Sequence, residues 1–192
     1  WGGRFCRIAG LSRNPHFPRM IRFSNVSLIR GTKVLLEGAD AVLNPGDRIG
    51  LIGANGSGKS SLFAVLRGEL HTDKGDADFP AHWRVAHVAQ ETPALDRPAV
   101  EYAIDGDTNL RILEKKLSQA ERENNGNLIG ELHGALGDAD AYTVRSRAEQ
   151  LLVGLGFRHE ELAMPVSSFS GGWRMRLNLA QALMCPSDLL LL

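Results

Sequence analysis

A glycine-rich run that ends in lysine and serine constrains this sequence more than any other feature. Residues 53–60, Gly-Ala-Asn-Gly-Ser-Gly-Lys-Ser, satisfy the pattern G-x-x-x-x-G-K-[ST] in full. The apolar residues 49–52 before the run predict a buried strand, and the apolar residues after it predict a helix that ends at Gly68. The sequence therefore predicts a strand, a tight loop and a helix in direct succession.

The chemistry that such a loop supports is the binding of phosphate. Glycine has no side chain to hold the backbone away, so several N–H groups converge on phosphate oxygens, and the following helix presents its positive end to the same anion. Lys59 is expected to reach the β- and γ-phosphates, Ser60 to bind Mg²⁺ through its hydroxyl, and Ser61 to lie near the α-phosphate. A glycine-rich turn with a solvated lysine is the alternative. The predicted contacts with a nucleoside triphosphate are Gly53, Asn55, Gly56, Ser57, Gly58, Lys59, Ser60 and Ser61.

Composition excludes several other classes of protein. The 192 residues contain 22 Lys+Arg and 22 Asp+Glu, and this zero net charge argues against a simple polycationic nucleic-acid binder. Cys6 and Cys185 are far apart, so they form no disulfide framework and suit a reducing compartment. The apolar runs are too short to span a bilayer, and the six histidines show no metal-ligand spacing. We therefore expect a cytoplasmic protein without membrane insertion or a structural metal.

The first 19 residues differ from the rest of the chain. They contain four arginines and no acidic residue, so residues 20–192 carry 18 basic and 22 acidic groups. The preferred interpretation is a disordered or non-native extension in which Met20 is the natural start, and a transit peptide is the alternative. The zero net charge of the whole chain is therefore the sum of a basic segment at 1–19 and an acidic segment at 20–192.

The remaining chain predicts an α/β domain with helices inserted in it. Alternating apolar residues from Ile21 to Leu43 predict antiparallel strands, and residues 83–89 predict a strand that ends at Gln90. Leucine stripes on both sides of the turn at 123–127 predict a helical hairpin, with a third helix near 142–155 that closes on Gly156. We predict an extension at 1–19, a nucleotide-binding core at 20–99, a helical subdomain at 100–165, and a final helix and strand at 166–192.

A second glycine cluster starts another helix. Ser170 is a favourable N-cap residue, and Gly171 and Gly172 leave the first amides of that helix uncovered, which is a second potential anion site. The helix ends near Pro186 and leads through Asp188 into four leucines at 189–192, which predict a buried strand. Alone, this cap indicates only the start of a helix.

Taken in order, these motifs resemble the ATP-binding cassette ATPase domain. The phosphate loop at 53–60, Gln90, the run Phe-Ser-Gly-Gly-Trp at 169–173 and the leucine run cover essentially all of residues 20–192. The resemblance implies a P-loop NTPase fold with an N-terminal antiparallel part, a parallel core sheet and an inserted helical arm. It also implies that Gln90 contacts Mg²⁺, and that Ser170, Gly171 and Gly172 close over ATP held by a second cassette.

One branch of the family fits better than the others. Trp173 stands where transporter cassettes usually carry glutamine, and the string at 169–183 resembles the ABC-F subfamily of soluble twin-cassette proteins that act on ribosomes. Segments 89–95 and 104–107 are similar to its YheS-like bacterial members. The hairpin at about 100–145 would then be an arm toward ribosomal RNA and protein. Residues 101–150 contain 10 acidic and 6 basic residues, which fits that role only moderately. The alternatives are the ATPase subunit of a membrane transporter and a nucleotide-binding module without turnover.

Two departures from the family pattern matter. Arg30 occupies the position where cassettes usually stack an aromatic ring on adenine, and a guanidinium plane is able to stack there instead; a solvated Arg30 is the alternative. The aspartate, glutamate and histidine that the family places after the leucine run would lie beyond Leu192, so we predict no catalytic residue within 1–192. We therefore expect a fragment that binds ATP without turning it over, because hydrolysis needs those groups.

Overall fold

The structure is a computed structural model that describes residues 20–80, 82–89 and 94–192. The chain divides after His82 into two compact units. The first contains β1 (Ile21–Arg30), β2 (Lys33–Leu43), α1 (Lys59–Leu66) and β3 (Lys74–Asp78). The second contains β4 (Val85–His87), α2 (Ala99–Ile104), α3 (Thr108–Arg122), α4 (Gly126–Asp138), α5 (Ala141–Gly154), α6 (Gly171–Met184) and β5 (Leu189–Leu191). The functional division at 99/100 and 165/166 stays a prediction.

The first unit is built on an antiparallel sheet of three strands in the order β2-β1-β3. Ile21 pairs with Leu43, and the register shifts between Phe23 and Val26. Asn25 lies in this bulge with a φ of 51°, and the extra residue brings Val26 and Leu28 to the buried side with Ile21 and Phe23. The predicted antiparallel strands are thereby confirmed.

The prediction of a strand at 49–52 is wrong. Residues 47–54 have no regular secondary structure, and Ile52 is 94% exposed. A strand requires a neighbour to complete its backbone hydrogen bonds, and no described strand pairs with this segment. The helix after it is confirmed: α1 stops before Gly68, whose φ is 72° and whose N–H donates to the carbonyl of Val65 at 2.9 Å.

The second unit combines a parallel strand pair with helices. Strands β4 and β5 pair in parallel, with Val85 opposite Leu189, which confirms a strand in the leucine run. The strand predicted at 83–89 is present but shorter, at three residues. Its position is fixed at the start because Asp188 accepts a hydrogen bond from the N–H of Arg84 at 2.8 Å and donates its own N–H to the Arg84 carbonyl at 2.9 Å.

The leucine run is only partly buried, which corrects the prediction of a buried strand. Strand β5 covers Leu189–Leu191, and Leu192, the last residue of the sequence, follows it and is 71% exposed. Leu191 is 6% exposed, whereas Leu190 is 38% exposed because successive side chains of a strand point to opposite faces. The strand is therefore present, with one of its faces buried.

The helical hairpin is confirmed, and its caps explain its ends. Asp107 precedes α3 and accepts from the N–H of Leu110 at 3.1 Å, while Asn125 precedes α4 and accepts from the N–H of Leu128 at 3.3 Å. Helix α4 is unusual, since a Cβ added at any of its four glycines would meet no atom within 4 Å; these are Gly126, Gly130, Gly134 and Gly137. The hairpin packs against α5 and the rest of the helical core through buried side chains that include Leu110, Leu136, Leu152, Phe157, Val166 and Leu177.

An ion network joins the end of α2 to α3. The Arg111 guanidinium binds the carboxylates of Glu101 at 2.6 Å, Asp105 at 2.8 Å and Glu114 at 2.7 Å. Burial raises the pKa of Glu101, but the hydrogen bond and positive charge of Arg111 outweigh it, so the pKa is lowered from 4.5. Arg111 thus holds α2 against α3.

Candidate functional site

The phosphate loop folds around the side chain of Lys59. This residue begins α1, and its Nζ donates hydrogen bonds to the carbonyl oxygens of Gly53 at 2.7 Å and Ala54 at 2.9 Å. Within the loop, the N–H of Ser57 donates to the Ala54 carbonyl at 3.2 Å. The ammonium group is therefore held at the loop rather than extended into solvent, where it supplies positive charge beside the backbone N–H groups.

Two glycines of the loop lie close to neighbouring side chains. At Gly58, φ is 102° and an added Cβ would lie 2.9 Å from the Cβ of Leu35. At Gly53, an added Cβ would lie 2.6 Å from the Oγ of Ser57. Both separations are well inside van der Waals contact; rotation of the Ser57 hydroxyl would relieve the contact at Gly53, whereas a side chain at Gly58 would displace Leu35 or the loop. The loop therefore exposes backbone N–H groups with few side chains around them, which is the arrangement that phosphate binding requires.

A second lysine contacts the loop and was missed by sequence reasoning. Lys33, at the start of β2, donates a hydrogen bond from its Nζ to the carbonyl of Gly56 at 2.7 Å. The two residues are 23 positions apart, and a lone lysine after the Gly31-Thr32 turn has no local pattern that would identify it. Two ammonium groups therefore bind the backbone of one loop and place positive charge beside it.

The first turn of α1 carries the predicted hydroxyl groups. Ser60 is exposed and Ser61 is also accessible, and no acidic residue lies in this turn. No side chain caps the helix, so its first amides keep their capacity to bind an anion. Asn55 lies exposed in the preceding turn. A hydroxyl oxygen is a ligand type that suits Mg²⁺, and Ser60 fits that role by its chemistry.

The other residues predicted at the nucleotide are Arg30, in the first unit, and Gln90, in the second. Arg30 is exposed at the end of β1, opposite Lys33 in the strand register. Nothing in the structure tests its proposed stacking on adenine. Gln90 lies outside the described residues, so its contact with Mg²⁺ stays a prediction. In the described part of the chain, no group of three or more His, Cys, Asp or Glu side chains is arranged to hold a metal ion.

The predicted position of the hydrolytic residues is the end of β5. Strand β5 runs parallel to β4, and Leu192 follows it. Functional groups in α/β sheets gather at the carboxyl ends of parallel strands, so a carboxylate that follows β5 would lie at the same edge as the chain that leaves β4 toward Gln90. The location of the catalytic carboxylates beyond Leu192 stays a prediction.

The second glycine cluster forms an open helix start. Ser170 occupies the N-cap position of α6, but its side chain makes no hydrogen bond to the helix amides. An added Cβ at Gly171 or Gly172 would meet nothing within 4 Å. The first amides of α6 are thus left without a side-chain cap, as the sequence predicts.

Aromatic residues anchor this helix start. The Phe157 ring meets the Trp173 ring edge-on at a centroid distance of 4.8 Å and the Phe169 ring at 5.5 Å. The Arg176 guanidinium lies 4.5 Å from the centre of the Trp173 ring and donates to the carbonyl of Leu155 at 3.0 Å. Packing against Phe157 therefore holds Phe169 and Trp173, the residues on the two sides of the Ser-Gly-Gly cap, in place.

A lysine at the start of a helix, bound to a glycine-rich loop of bare backbone, defines the class of P-loop nucleotide-binding domains. Residues 36–192 match the protein family described as ABC transporter. The chain belongs to this family, as an ATP-binding cassette of the ABC-F type. In the part of the chain that the structure describes, no helix is long and apolar enough to cross a membrane.

The relatives support the ABC-F assignment. The chain is 58% identical over 173 residues to "Probable ATP-binding protein YheS" of Haemophilus influenzae, and 56% identical to the protein of that name in Escherichia coli K12. It is 39% identical over 181 residues to "ATP-binding cassette sub-family F member 3" of Mus musculus. Each alignment covers 90% of this chain but only 27%, 27% and 24% of these relatives, so the chain spans about a quarter of their length.

A solved structure supports the fold alone. A putative metal-chelate type ABC transporter in an inward-facing conformation aligns with a TM-score of 0.58 and 20% identity, over 90% of this chain and 59% of that one. The α/β cassette fold predicted from the sequence, with its antiparallel part, parallel strands and inserted helices, is confirmed.

Proposed function

We propose that this chain is the N-terminal cassette of a cytoplasmic twin-cassette ABC-F ATPase, which couples ATP binding and hydrolysis to a task on the ribosome. The observation that carries the nucleotide part is the Lys59 ammonium, held at 2.7 Å and 2.9 Å from carbonyls of the glycine loop. The ABC-F relatives support the rest, and their greater length leaves room for a second cassette.

The proposed roles at ATP follow from chemistry. The amides of residues 53–58 surround the phosphates, Lys59 supplies positive charge to the β- and γ-phosphates, and Ser61 bonds near the α-phosphate. Ser60 and Gln90 bind the Mg²⁺ that accompanies ATP, and Arg30 stacks on the adenine. Bound Mg²⁺ would neutralise charge on the phosphates during transfer to water.

The open start of α6 suits a nucleotide held by a different cassette. Ser170, Gly171 and Gly172 present a hydroxyl and uncapped amides, which together bind an anion. We assign these groups to the ATP of the second cassette. The hairpin of α3 and α4 is the proposed arm toward the ribosome, and direct contact with ribosomal RNA is part of this proposal.

Nucleotide binding is tested by calorimetry on the chain. The Lys59→Ala variant should lose ATP affinity by about 100-fold or more, because a charge-assisted contact in the phosphate site is removed. Lys116→Ala is the matched control, since it removes the same charge from an exposed position on α3. Unchanged affinity in the Lys59→Ala variant would refute the phosphate-loop assignment.

The ribosome task is tested by co-sedimentation of the full-length protein. With a non-hydrolysable ATP analogue it should pellet with ribosomes, and without nucleotide or with Lys59→Ala it should stay in the supernatant. The competing function is the ATPase subunit of a membrane transporter. Recovery with a transmembrane partner, and no ribosome binding with the analogue, would favour the transporter.

A further inference from the structure

A buried asparagine in α6 lies at the centre of a hydrogen-bond network that the proposed function does not use. Asn178 is 2% exposed and lies on the buried side of α6 with Leu177 and Ala180. An amide without partners in such a place would be strongly destabilising, because it would lose its hydrogen bonds to water without replacement. The partners that Asn178 has therefore determine what it does in the fold.

Both the nitrogen and the oxygen of the Asn178 side-chain amide form hydrogen bonds. Its Nδ2 donates to the carbonyl of Ala89 at 2.8 Å, and its Oδ1 accepts from the hydroxyl of Tyr102 at 2.7 Å. A backbone carbonyl only accepts, so the nitrogen must face Ala89 and the orientation of the amide is unambiguous. Burial, followed by the charge of Asp105, raises the pKa of Tyr102, so the phenol stays protonated as a donor.

The helix that carries Asn178 is fixed against α2. One turn further on, Gln181 donates from its Nε2 to the carbonyl of Tyr102 at 3.0 Å. At Gly106, just after α2, an added Cβ would overlap the carbonyl oxygen of Gln181. The two helices therefore approach too closely to slide, and Asn178 is held in place while it binds Ala89.

The bond to Ala89 matters because of where that carbonyl lies. Ala89 follows β4, and its carbonyl belongs to the peptide that leads to residue 90. The hydrogen bond from Asn178 therefore fixes the Ala89 carbonyl, at the end of the described segment that follows β4. Asn178 also lies eight residues after Ser170, about 12 Å along the helix.

We propose that Asn178 is a positioning residue, which holds Ala89, the residue before Gln90 in the sequence, in one fixed geometry relative to the Ser-Gly-Gly start of α6. The inference rests on the proposed function, in which these two segments serve two ATP molecules. A shift of the chain at Ala89 is transmitted through one amide to a rigid helix, so the two segments move together. Tyr102 only orients the amide.

The test compares two variants of the full-length protein that differ only at Asn178. Tyr102→Phe keeps the bond to Ala89, whereas Tyr102→Phe with Asn178→Leu removes it and leaves no unpaired phenol. In steady-state ATP hydrolysis, the single variant should stay within about twofold of wild type. The double variant should lose about tenfold in kcat with KM for ATP within about twofold, as expected of a group that orients another.

The outcomes separate the two proposals. A folded double variant with the kcat of Tyr102→Phe overturns the role of Asn178, and so does a loss that appears in KM alone. If the double variant does not fold, Tyr102→Phe with Asn178→Ala replaces it, since alanine is smaller than asparagine, carries no polar group and cannot donate to Ala89. Absence of Lys59-dependent hydrolysis in the wild-type protein overturns the proposed function itself.

Discussion

Gly58 is the position in the phosphate loop at which an added methyl group should lower the free energy of unfolding most. Its φ of 102° lies in a region that L side chains rarely adopt, which costs about 1–3 kcal/mol for alanine. The new Cβ would also lie 2.9 Å from the Cβ of Leu35, and such overpacking costs about 1–3 kcal/mol more. The Gly58→Ala variant should therefore lose about 2–6 kcal/mol in the free energy of unfolding.

The two contributions are separable because α1 has a glycine beyond each end. Gly68 has a φ of 72° and open space where a Cβ would lie. Gly68→Ala should thus show only the backbone cost, about 1–2 kcal/mol, with unchanged ATP affinity. Gly58→Ala should weaken ATP binding as well, because the loop backbone must shift to accommodate the methyl group. Urea unfolding followed by circular dichroism, with calorimetry of ATP binding, measures both effects.

A double-mutant cycle with Leu35→Gly isolates the steric contribution. This change removes every atom of Leu35 that the new methyl group would meet, and the cycle cancels the cost of Leu35→Gly itself. We expect a coupling of about 1–3 kcal/mol in favour of the double variant. Zero coupling, or equal losses for Gly58→Ala and Gly68→Ala, would refute the close-packing explanation of this glycine.

Three further predictions concern other contacts. Lys33→Met should weaken ATP binding about threefold by calorimetry, since an exposed charged contact with the loop is lost. The pKa of Glu101 is lowered in the folded state, so the stability it contributes is present above pH 4.5 and is lost as pH falls through the folded pKa. The acid-side slope of the unfolding free energy should therefore be shallower in Arg111→Met, as measured by urea titration at several pH values. Trp173→Gln should cost about 1–3 kcal/mol in the same urea assay, as Phe157→Leu also should, because each removes one ring of an edge-on pair.

The features that the sequence predicted correctly depend on local chemistry. The helix after residues 53–60 was predicted from the apolar residues that follow the glycine-rich run, and the hairpin was predicted from leucine stripes on both sides of the turn at 123–127. The prediction of a strand at 49–52 was wrong because an apolar run shows only that the residues suit a buried strand. Whether the strand forms depends on a pairing partner elsewhere in the chain. The burial of Leu190 was predicted wrongly for a related reason, since four identical leucines do not show which face of the strand is covered.

Contacts between distant segments were not predictable in the same way. The bond from Lys33 to Gly56 arises only once β2 has been placed beside the loop. Asn178 is a similar case, because a polar residue on a helix usually faces solvent, and its partners at Tyr102 and Ala89 are 76 and 89 positions away. These residues became identifiable only from burial and hydrogen-bond geometry together.

The glycines of α4 also have an energetic consequence. Each glycine inside a helix costs about 1 kcal/mol relative to alanine, and Gly130 and Gly134 lie in the interior of α4 with open space where a side chain would lie. This helix should therefore open locally before the others, and its amide hydrogens should exchange with solvent ahead of those in α6. Helix α4 is thus the part of the hairpin with the lowest local stability, whereas α3 is tied to α2 through Arg111.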